Sequence, residues 1–307
     1  MANFTAKDVN ELRKSTGVGM MDCKKALTEA DGNFEKAIEI LRERGLATAA
    51  KKAGRIAAEG MVYADYCPEC KVGVVIEVNA ETDFVAKNDK FVDFVKKATK
   101  VIMEQNPADV ETLMNCKMGD ETVDQALKEL ILVIKENIKV RRFTRYEGVC
   151  SAYVHGGGTH GILVNFETTN DIDAKDEFVA YGKDIAMQVA AANPGYVDEA
   201  SVPAEVVAKE KEIMLAQMAQ DPKTANKPEA VKAKMIEGKI KKFFKENCLV
   251  DQEFVKDSDL TVAQYTAKVA KDLGGDIKIV KFTRFQKGEG LEKRADDFAA
   301  EVASMVK

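Results

Sequence analysis

Histidine is scarce in this chain: only His155 and His160 occur among 307 residues. There is no GxSxG, no GxxxxGK[ST] and no HExxH, so the usual nucleophile, phosphate-cradle and metal-ligand motifs are missing and no catalytic constellation forms. A protein that is not an enzyme, and that carries no cofactor, is the expectation. No excess of one charge exists either. Forty-six Lys and Arg stand against 51 Asp and Glu, a net charge of -5 with a pI of about 5.4, which leaves no broad cationic field for phosphates and disfavours direct nucleic-acid binding. No run approaches the roughly 18 apolar residues that a membrane span needs, and the opening MANFTAKDVN has no basic segment followed by an apolar stretch. A cytoplasmic protein without membrane contact follows as an expectation.

The six cysteines, at 23, 67, 70, 116, 150 and 248, are mostly isolated, which suits reduced thiols rather than a disulfide framework. Cys67-Pro68-Glu69-Cys70 is the one pair. It has half the ligands of a zinc site, but no second CxxC follows and both histidines lie elsewhere, so Cys67 and Cys70 are weak metal candidates. A redox CxxC ordinarily opens a helix, where the thiol pKa falls, whereas this one sits between two strand-like runs and reads as a hairpin tip. Gly156-Gly157-Gly158 likewise lies between strand-like runs with no helix following, so the amide cage of a phosphate loop is absent and a loop beside a partner is the better reading.

What the chain does have is clear periodicity and 46% apolar residues, enough for two or more packed units. Residues 1–45 predict three short helices. Thr5 and Asp8 form a capping pattern ahead of Val9 and Leu12; Thr16-Gly17-Val18-Gly19 ends that helix; Met20, Met21, Cys23, Ala26 and Leu27 make the second; Phe34, Ala37, Ile38 and Leu41 make the third, with Gly45 as its stop. A basic link with Lys51, Lys52 and Arg55 follows. From residue 60 the period becomes two, and 61–66 with 72–78 predict a hairpin around the cysteines. Helices are expected over Asp89 to Gln105 and Thr122 to Lys139, strands at Val140–Tyr146, Val149–Val154 and Gly161–Phe166, and a helix from about Ala174 to Ala192.

Sliding the chain against itself by 87 positions exposes an internal repeat: Phe91 falls on Phe178, Phe94 on Tyr181, Asn106 on Asn193 and Pro107 on Pro194. A second echo pairs Ile138-Lys139-Val140 and Phe143-Thr144-Arg145-Tyr146 with Ile277-Lys278-Ile279 and Phe282-Thr283-Arg284-Phe285. The fold class is therefore α+β, with a duplicated core of two related halves, each an antiparallel sheet with helices on one face. Inserted in the second half, Pro203–Gln220 and Pro228–Asn247 predict a helical hairpin of coiled-coil type, with Val206, Ile213, Met214 and Met218 facing Val231, Met235, Ile236, Ile240 and Phe243. Packing on itself, docking a partner and pairing into a homodimer all remain open for it. A last helix, carrying Phe298, Val302 and Met305, is expected in the tail.

Two segments carry a specific resemblance. Leu12-Arg13-Lys14-Ser15-Thr16-Gly17-Val18-Gly19-Met20-Met21-Asp22-Cys23-Lys24-Lys25-Ala26-Leu27 resembles the first signature of the elongation factor Ts family, and Glu77-Val78-Asn79-Ala80-Glu81-Thr82-Asp83-Phe84-Val85-Ala86-Lys87 resembles the second. The likeness continues through Tyr153-Val154-His155-Gly156-Gly157 and Gly288-Glu289-Gly290; Thr159-His160 and the Cys67/Cys70 tip depart from it. The resemblance implies a bundle of the ubiquitin-associated type at 1–54, core subdomains at 55–140 and at 141–200 with 248–286, an inserted hairpin at 201–247 and a C-terminal helical module at 287–307. It further implies a guanine-nucleotide exchange factor whose partner is the GTPase elongation factor Tu. By that resemblance Leu12, Met20, Met21, Lys51 and Lys52 grip a helix of the partner; Thr82, Asp83, Phe84 and Val85 enter its nucleotide domain and disturb the magnesium site; His155 approaches its phosphate loop.

From the residues alone, the strand-to-helix corner leaves Phe84 few ways to be buried by its own unit, and Thr82 or Asp83 is placed to cap the helix near 89. Adjacent Met20 and Met21 cannot both point inward, whereas Leu12 suits the bundle core equally well. Two other readings stand beside exchange: a helix-binding adaptor that uses the bundle alone, and a thiol oxidoreductase that uses Cys67 and Cys70.

Overall fold

The computed structural model describes residues 3–292; the expected tail helix with Phe298, Val302 and Met305 lies outside them. Three helices open the chain: α1 (Ala6–Thr16), α2 (Met20–Glu29) and α3 (Phe34–Lys52). Thr5 and Asp8 form the reciprocal capping box of α1, and Gly17 in the left-handed conformation ends it. Val9, Leu12, Cys23, Leu27, Ala37 and Leu41 close around one core.

Gly45 does not stop α3. The helix runs on to Lys52 because Gly45 marks a crossing: a Cβ there would lie 3.3 Å from the Lys128 carbonyl oxygen, so glycine lets α3 lie close on the helix α6 (Val123–Ile134) of the next unit. Leu132 of that same helix completes the bundle core, which answers how so small a bundle is stabilised.

The first half of the core comprises β1 (Glu59–Cys67), β2 (Val72–Ala80), α4 (Asp89–Gln105), α5 (Val110–Asn115), the two-residue strands β3 (Lys117–Met118) and β4 (Glu121–Thr122), α6 (Val123–Ile134) and β5 (Lys139–Glu147). The second half comprises β6 (Val149–His155), β7 (His160–Thr168), α7 (Asp176–Ala192), then α8 (Ala204–Gln220), α9 (Pro222–Ala225) and α10 (Glu229–Asn247), and finally β8 (Glu253–Phe254), β9 (Asp257–Thr261), α11 (Val262–Leu273) and β10 (Ile277–Gln286). The main sheet of each half is three-stranded and antiparallel, ordered β1-β2-β5 and β6-β7-β10, and β3-β4 and β8-β9 form small two-stranded sheets beside them. The halves repeat one topology.

Details of the repeat follow its chemistry. Helices α4 and α7 both end on a left-handed asparagine, Asn106 (φ 47, ψ 54) and Asn193 (φ 46, ψ 55). Helices α6 and α11 both begin in a capping box, Thr122 with Gln125 and Thr261 with Gln264. Helix α6 is shorter than the periodicity suggests. It stops at Ile134 because Lys135 turns left-handed, and the chain then enters β5.

Each sheet buries one face under its own helices. Ile76 and Val78 pack with Phe91, Ile102 and Ile131 in the first half. Phe166, Phe178 and Tyr181 form an aromatic cluster in the second, with ring centroids 5.5–5.8 Å apart. The other faces meet each other through Val62, Val75, Cys150, Leu163 and Phe285, which makes a sheet-on-sheet centre with helices outside. Strand β2 lies between both layers and is buried along its whole length.

The inserted hairpin leaves and returns at one point: Gly195 and Tyr196 both donate their N–H groups to the Asn247 carbonyl, at 2.9 and 3.1 Å. Helices α8 and α10 pack against each other, and Met218, Thr224 and Ile240 are buried within the hairpin. Ile213 and Val231, expected on the inner seam, are 40% and 41% exposed. Two helices alone share a single narrow seam, and these residues fall outside it.

Candidate partner-binding site

The corner after β2 is built to present two residues and hold two others. Val85 is buried in the first-half core, while Phe84, its neighbour, is 78% exposed and Asp83 is exposed beside it. Thr82 donates its backbone N–H to Glu136 Oε2 at 3.0 Å and its hydroxyl to Glu136 Oε1 at 2.7 Å, so one carboxylate holds the corner by two bonds. Glu81 accepts from the Asn137 N–H at 2.6 Å and pairs with Arg55 at 3.4 Å. Phe84 is the most exposed of the large apolar residues among the described residues.

Neither Thr82 nor Asp83 caps α4. Asn88 does, accepting from the Lys90 N–H at 3.0 Å, because a short 3-10 turn over Val85–Lys87 carries the chain from the corner to the helix. That displacement frees Asp83 from a capping role.

His155 lies at the tip of the β6–β7 hairpin, where its Nδ1 is 3.0 Å from the Tyr153 hydroxyl. The tip turns on Gly156, Gly157 and Gly158, all with positive φ. Gly158 also packs against β1: its carbonyl accepts from the Val62 N–H at 2.8 Å, and a Cβ on it would lie 2.8 Å from Met61 Cβ. Since Glu59 of β1 pairs with Ala80 at the end of β2, the glycine tip and the Asp83–Phe84 corner occupy the same end of the sheets. Within the tip, His160 is partly covered, and burial followed by the Arg284 charge lowers its pKa from 6.5.

In the bundle, Met20 is 49% and Met21 63% exposed at the start of α2, and their flexible thioethers suit an apolar partner groove. Leu12 does not join them. It is fully buried against the other helices of the bundle, as period and spacing allowed. Lys51 and Lys52 end α3, with Lys51 exposed and Lys52 half-buried.

The cysteine tip stands at the far end of the β1–β2 hairpin from the corner. The Cys70 N–H approaches Cys67 Sγ at 3.2 Å, and the Cys70 thiol is pushed up, first by its hydrogen bond with Cys67, away from the thiolate form that metal binding and redox exchange use. Among the described residues no group of three or more His, Cys, Asp or Glu is arranged to hold a metal ion, and no helix is long and apolar enough to cross a membrane.

Sequence reasoning missed Lys135, Glu136 and Asn137. The apolar period of α6 extended through them, and only their tertiary partners distinguish a connecting turn from one more helical turn. Glu77 was also hidden, as a lone carboxylate within an apolar strand. It is fully buried, and it accepts from Asn79 at 3.1 Å, Arg141 at 3.1 Å, Arg142 at 2.6 Å and the Gly288 N–H at 2.8 Å. A family model described as "Elongation factor TS" matches residues 81–289. The chain is 48% identical to the elongation factor Ts of Clostridium perfringens, over 98% of this chain and 99% of that protein. It is 48% identical to that of Syntrophotalea carbinolica, over 99% of both, and 47% identical to that of Clostridioides difficile, over the full length of both.

Proposed function

Because this chain belongs to the elongation factor Ts family, a family of translation elongation factors, we propose that it is the guanine-nucleotide exchange factor for elongation factor Tu. It binds Tu loaded with GDP, releases the GDP and lets GTP rebind, with no bond made or broken. The observation that carries the mechanism is the corner itself: Phe84 stands in water while Val85 is buried and Thr82 is clamped.

Phe84 then acts as a wedge. It enters an apolar gap in the partner, where it escapes water, while the Asp83 carboxylate disturbs the polar network around the partner's magnesium and so weakens a clamp on the diphosphate. His155, on its glycine tip at the same end, reaches the partner's phosphate loop. Met20, Met21, Lys51 and Lys52 hold a helix of the same domain. We assign these roles to the bundle at 1–54 and to the core halves at 55–140 and at 141–200 with 248–286. Exposed Ile213 and Val231 on the hairpin at 201–247 offer a face for a second copy of the chain. The site lies in the cytoplasm and touches neither nucleic acid nor membrane.

The energetics are those of reciprocal coupling. Tu binds nucleotide tightly and the factor tightly but both together weakly, so each ligand hastens departure of the other. A thousandfold acceleration requires weakening the bound nucleotide by about 4 kcal/mol. Burying one aromatic hot spot is worth about 2 kcal/mol or more, and a lost metal contact supplies the remainder.

The test is release of fluorescent GDP from purified Tu of the same organism in stopped flow. Wild type accelerates release, and Phe84→Ala, which removes no buried contact, loses about tenfold or more of the acceleration at unchanged fold. Acceleration that survives Phe84→Ala in full removes the wedge role from Phe84, and no acceleration by the wild type returns the adaptor reading to first place.

A further inference from the structure

Three consecutive residues after α6 each bind a different part of the molecule. Lys135 extends to Asp22 of α2 at 2.7 Å, one residue from the exposed Met21. Glu136 holds Thr82 by its backbone N–H and its hydroxyl. Asn137 is buried; its N–H donates to Glu81 at 2.6 Å, and its side-chain amide donates to the Arg55 carbonyl at 2.7 Å, in the link that leaves the bundle. The left-handed turn at Lys135 (φ 64, ψ 28) ends the helix and places the three side chains on these separate targets.

We infer that Lys135-Glu136-Asn137 is the positioning element that fixes the Asp83–Phe84 corner relative to the N-terminal bundle, so that one rigid spacing joins the two contacts with the partner. This rests on the exchange reading above. The physical reason is preorganisation. A corner that swings freely must be ordered at the moment of insertion, whereas a corner already held by two bonds to one carboxylate spends less of its contact energy on ordering. Glu136 is assigned a positioning role and not a contact with the partner. It acts through Thr82 on the residue two places further along. The bond from a backbone N–H to a carboxylate is also of the stronger, charge-assisted kind, and Glu136 makes it to Thr82, the held residue nearest Asp83 and Phe84.

The prediction separates positioning from binding and from stability. Glu136→Ala lowers the GDP-release rate at saturating factor by about tenfold, with a smaller change in the factor concentration needed for half-maximal effect, because the bundle still grips. Glu136→Gln, which keeps one acceptor oxygen and fills the same space, falls between Glu136→Ala and wild type. Both are read in the full chain, with a thermal melt and circular dichroism alongside, so that a folding defect in Glu136→Ala leaves Glu136→Gln as the deciding variant. In the Phe84→Ala background, Glu136→Ala causes little additional loss, since the residue it positions is gone. A saturating rate unchanged within about twofold in both single variants, or a Glu136→Ala loss that adds in full to that of Phe84→Ala, overturns the inference while leaving the exchange reading intact. Absence of acceleration by the wild type overturns the reading on which it rests.

Discussion

Arg142 donates from Nε to the fully buried carboxylate of Glu77 at 2.6 Å, two strands of one sheet joined through their side chains. The same guanidinium stands 4.2 Å over the Phe285 ring, and Arg141 adds a second bond to Glu77 and one to the Glu289 carbonyl at 2.6 Å. Glu77 thereby ties the first half to the turn that follows the last strand of the second. Replacing it with alanine leaves two arginines facing each other without their shared carboxylate. Because both arginines are partly exposed and keep some water, Glu77→Ala is expected to cost about 3 kcal/mol of unfolding free energy, at the low end for a broken buried pair, measured by urea denaturation.

Within the bundle, Leu12 is fully buried whereas Met20 and Met21 are exposed. Leu12→Ala opens a cavity in a fully buried site and is expected to lower stability by about 3 kcal/mol. Met20→Ala and Met21→Ala change stability by less than about 0.5 kcal/mol, since both side chains lie in water. Calorimetric titration against nucleotide-free Tu is expected to show weaker binding for the methionine variants at unchanged melting behaviour. Equal destabilisation by all three substitutions contradicts the assignment.

The pH dependence of stability contains a contribution from His160. Burial first, then the Arg284 charge, lower its folded pKa below 6.5; the Gln286 hydrogen bond opposes them, ahead of a lesser lowering by His155 and a lesser raising by Glu289. As pH falls below that value the unfolded chain takes up the proton first, so the stability that neutral His160 supplies is present above the unfolded pKa and lost toward the lower folded one. Urea melts between about pH 5 and pH 7.5 are expected to show a shallower slope in His160→Gln than in wild type.

The cysteine tip is expected to be dispensable for exchange. It lies at the opposite end of its hairpin from Phe84, and the hydrogen bond with Cys67 pushes the Cys70 thiol pKa up. Cys67→Ser and Cys70→Ser should leave GDP release within about twofold of wild type, and a far larger loss revives a thiol-based role.

Much of this architecture could be read from residues, and the gaps have physical causes. The repeat was visible because core positions such as Phe91 and Phe178 must recur where the same helix packs on the same sheet. Helix α11 was passed over although its Thr261/Gln264 box repeats that of Thr122/Gln125, a signal available once the halves are aligned at the later offset. The meeting of the two sheets left only an indirect trace: β2 is apolar on both faces, which an antiparallel strand with one wet face would not be. Gly45 looked like a stop because helix ends and helix crossings use the same residue for different reasons. At the site, the exposure of Phe84 followed from its place between strand and helix, but Glu136 had no local signature, since its partner Thr82 is 54 residues away.

The paired bonds from Gly195 and Tyr196 to the Asn247 carbonyl make the base of the inserted hairpin a closed neck about the width of an ordinary turn. Everything beyond that neck is interchangeable in principle. Stalks of other lengths, a fluorescent reporter or a short loop can be spliced between Pro203 and Lys245, outside the neck, without asking either sheet to shift, so the distance this arm reaches becomes an adjustable dimension of an otherwise fixed body.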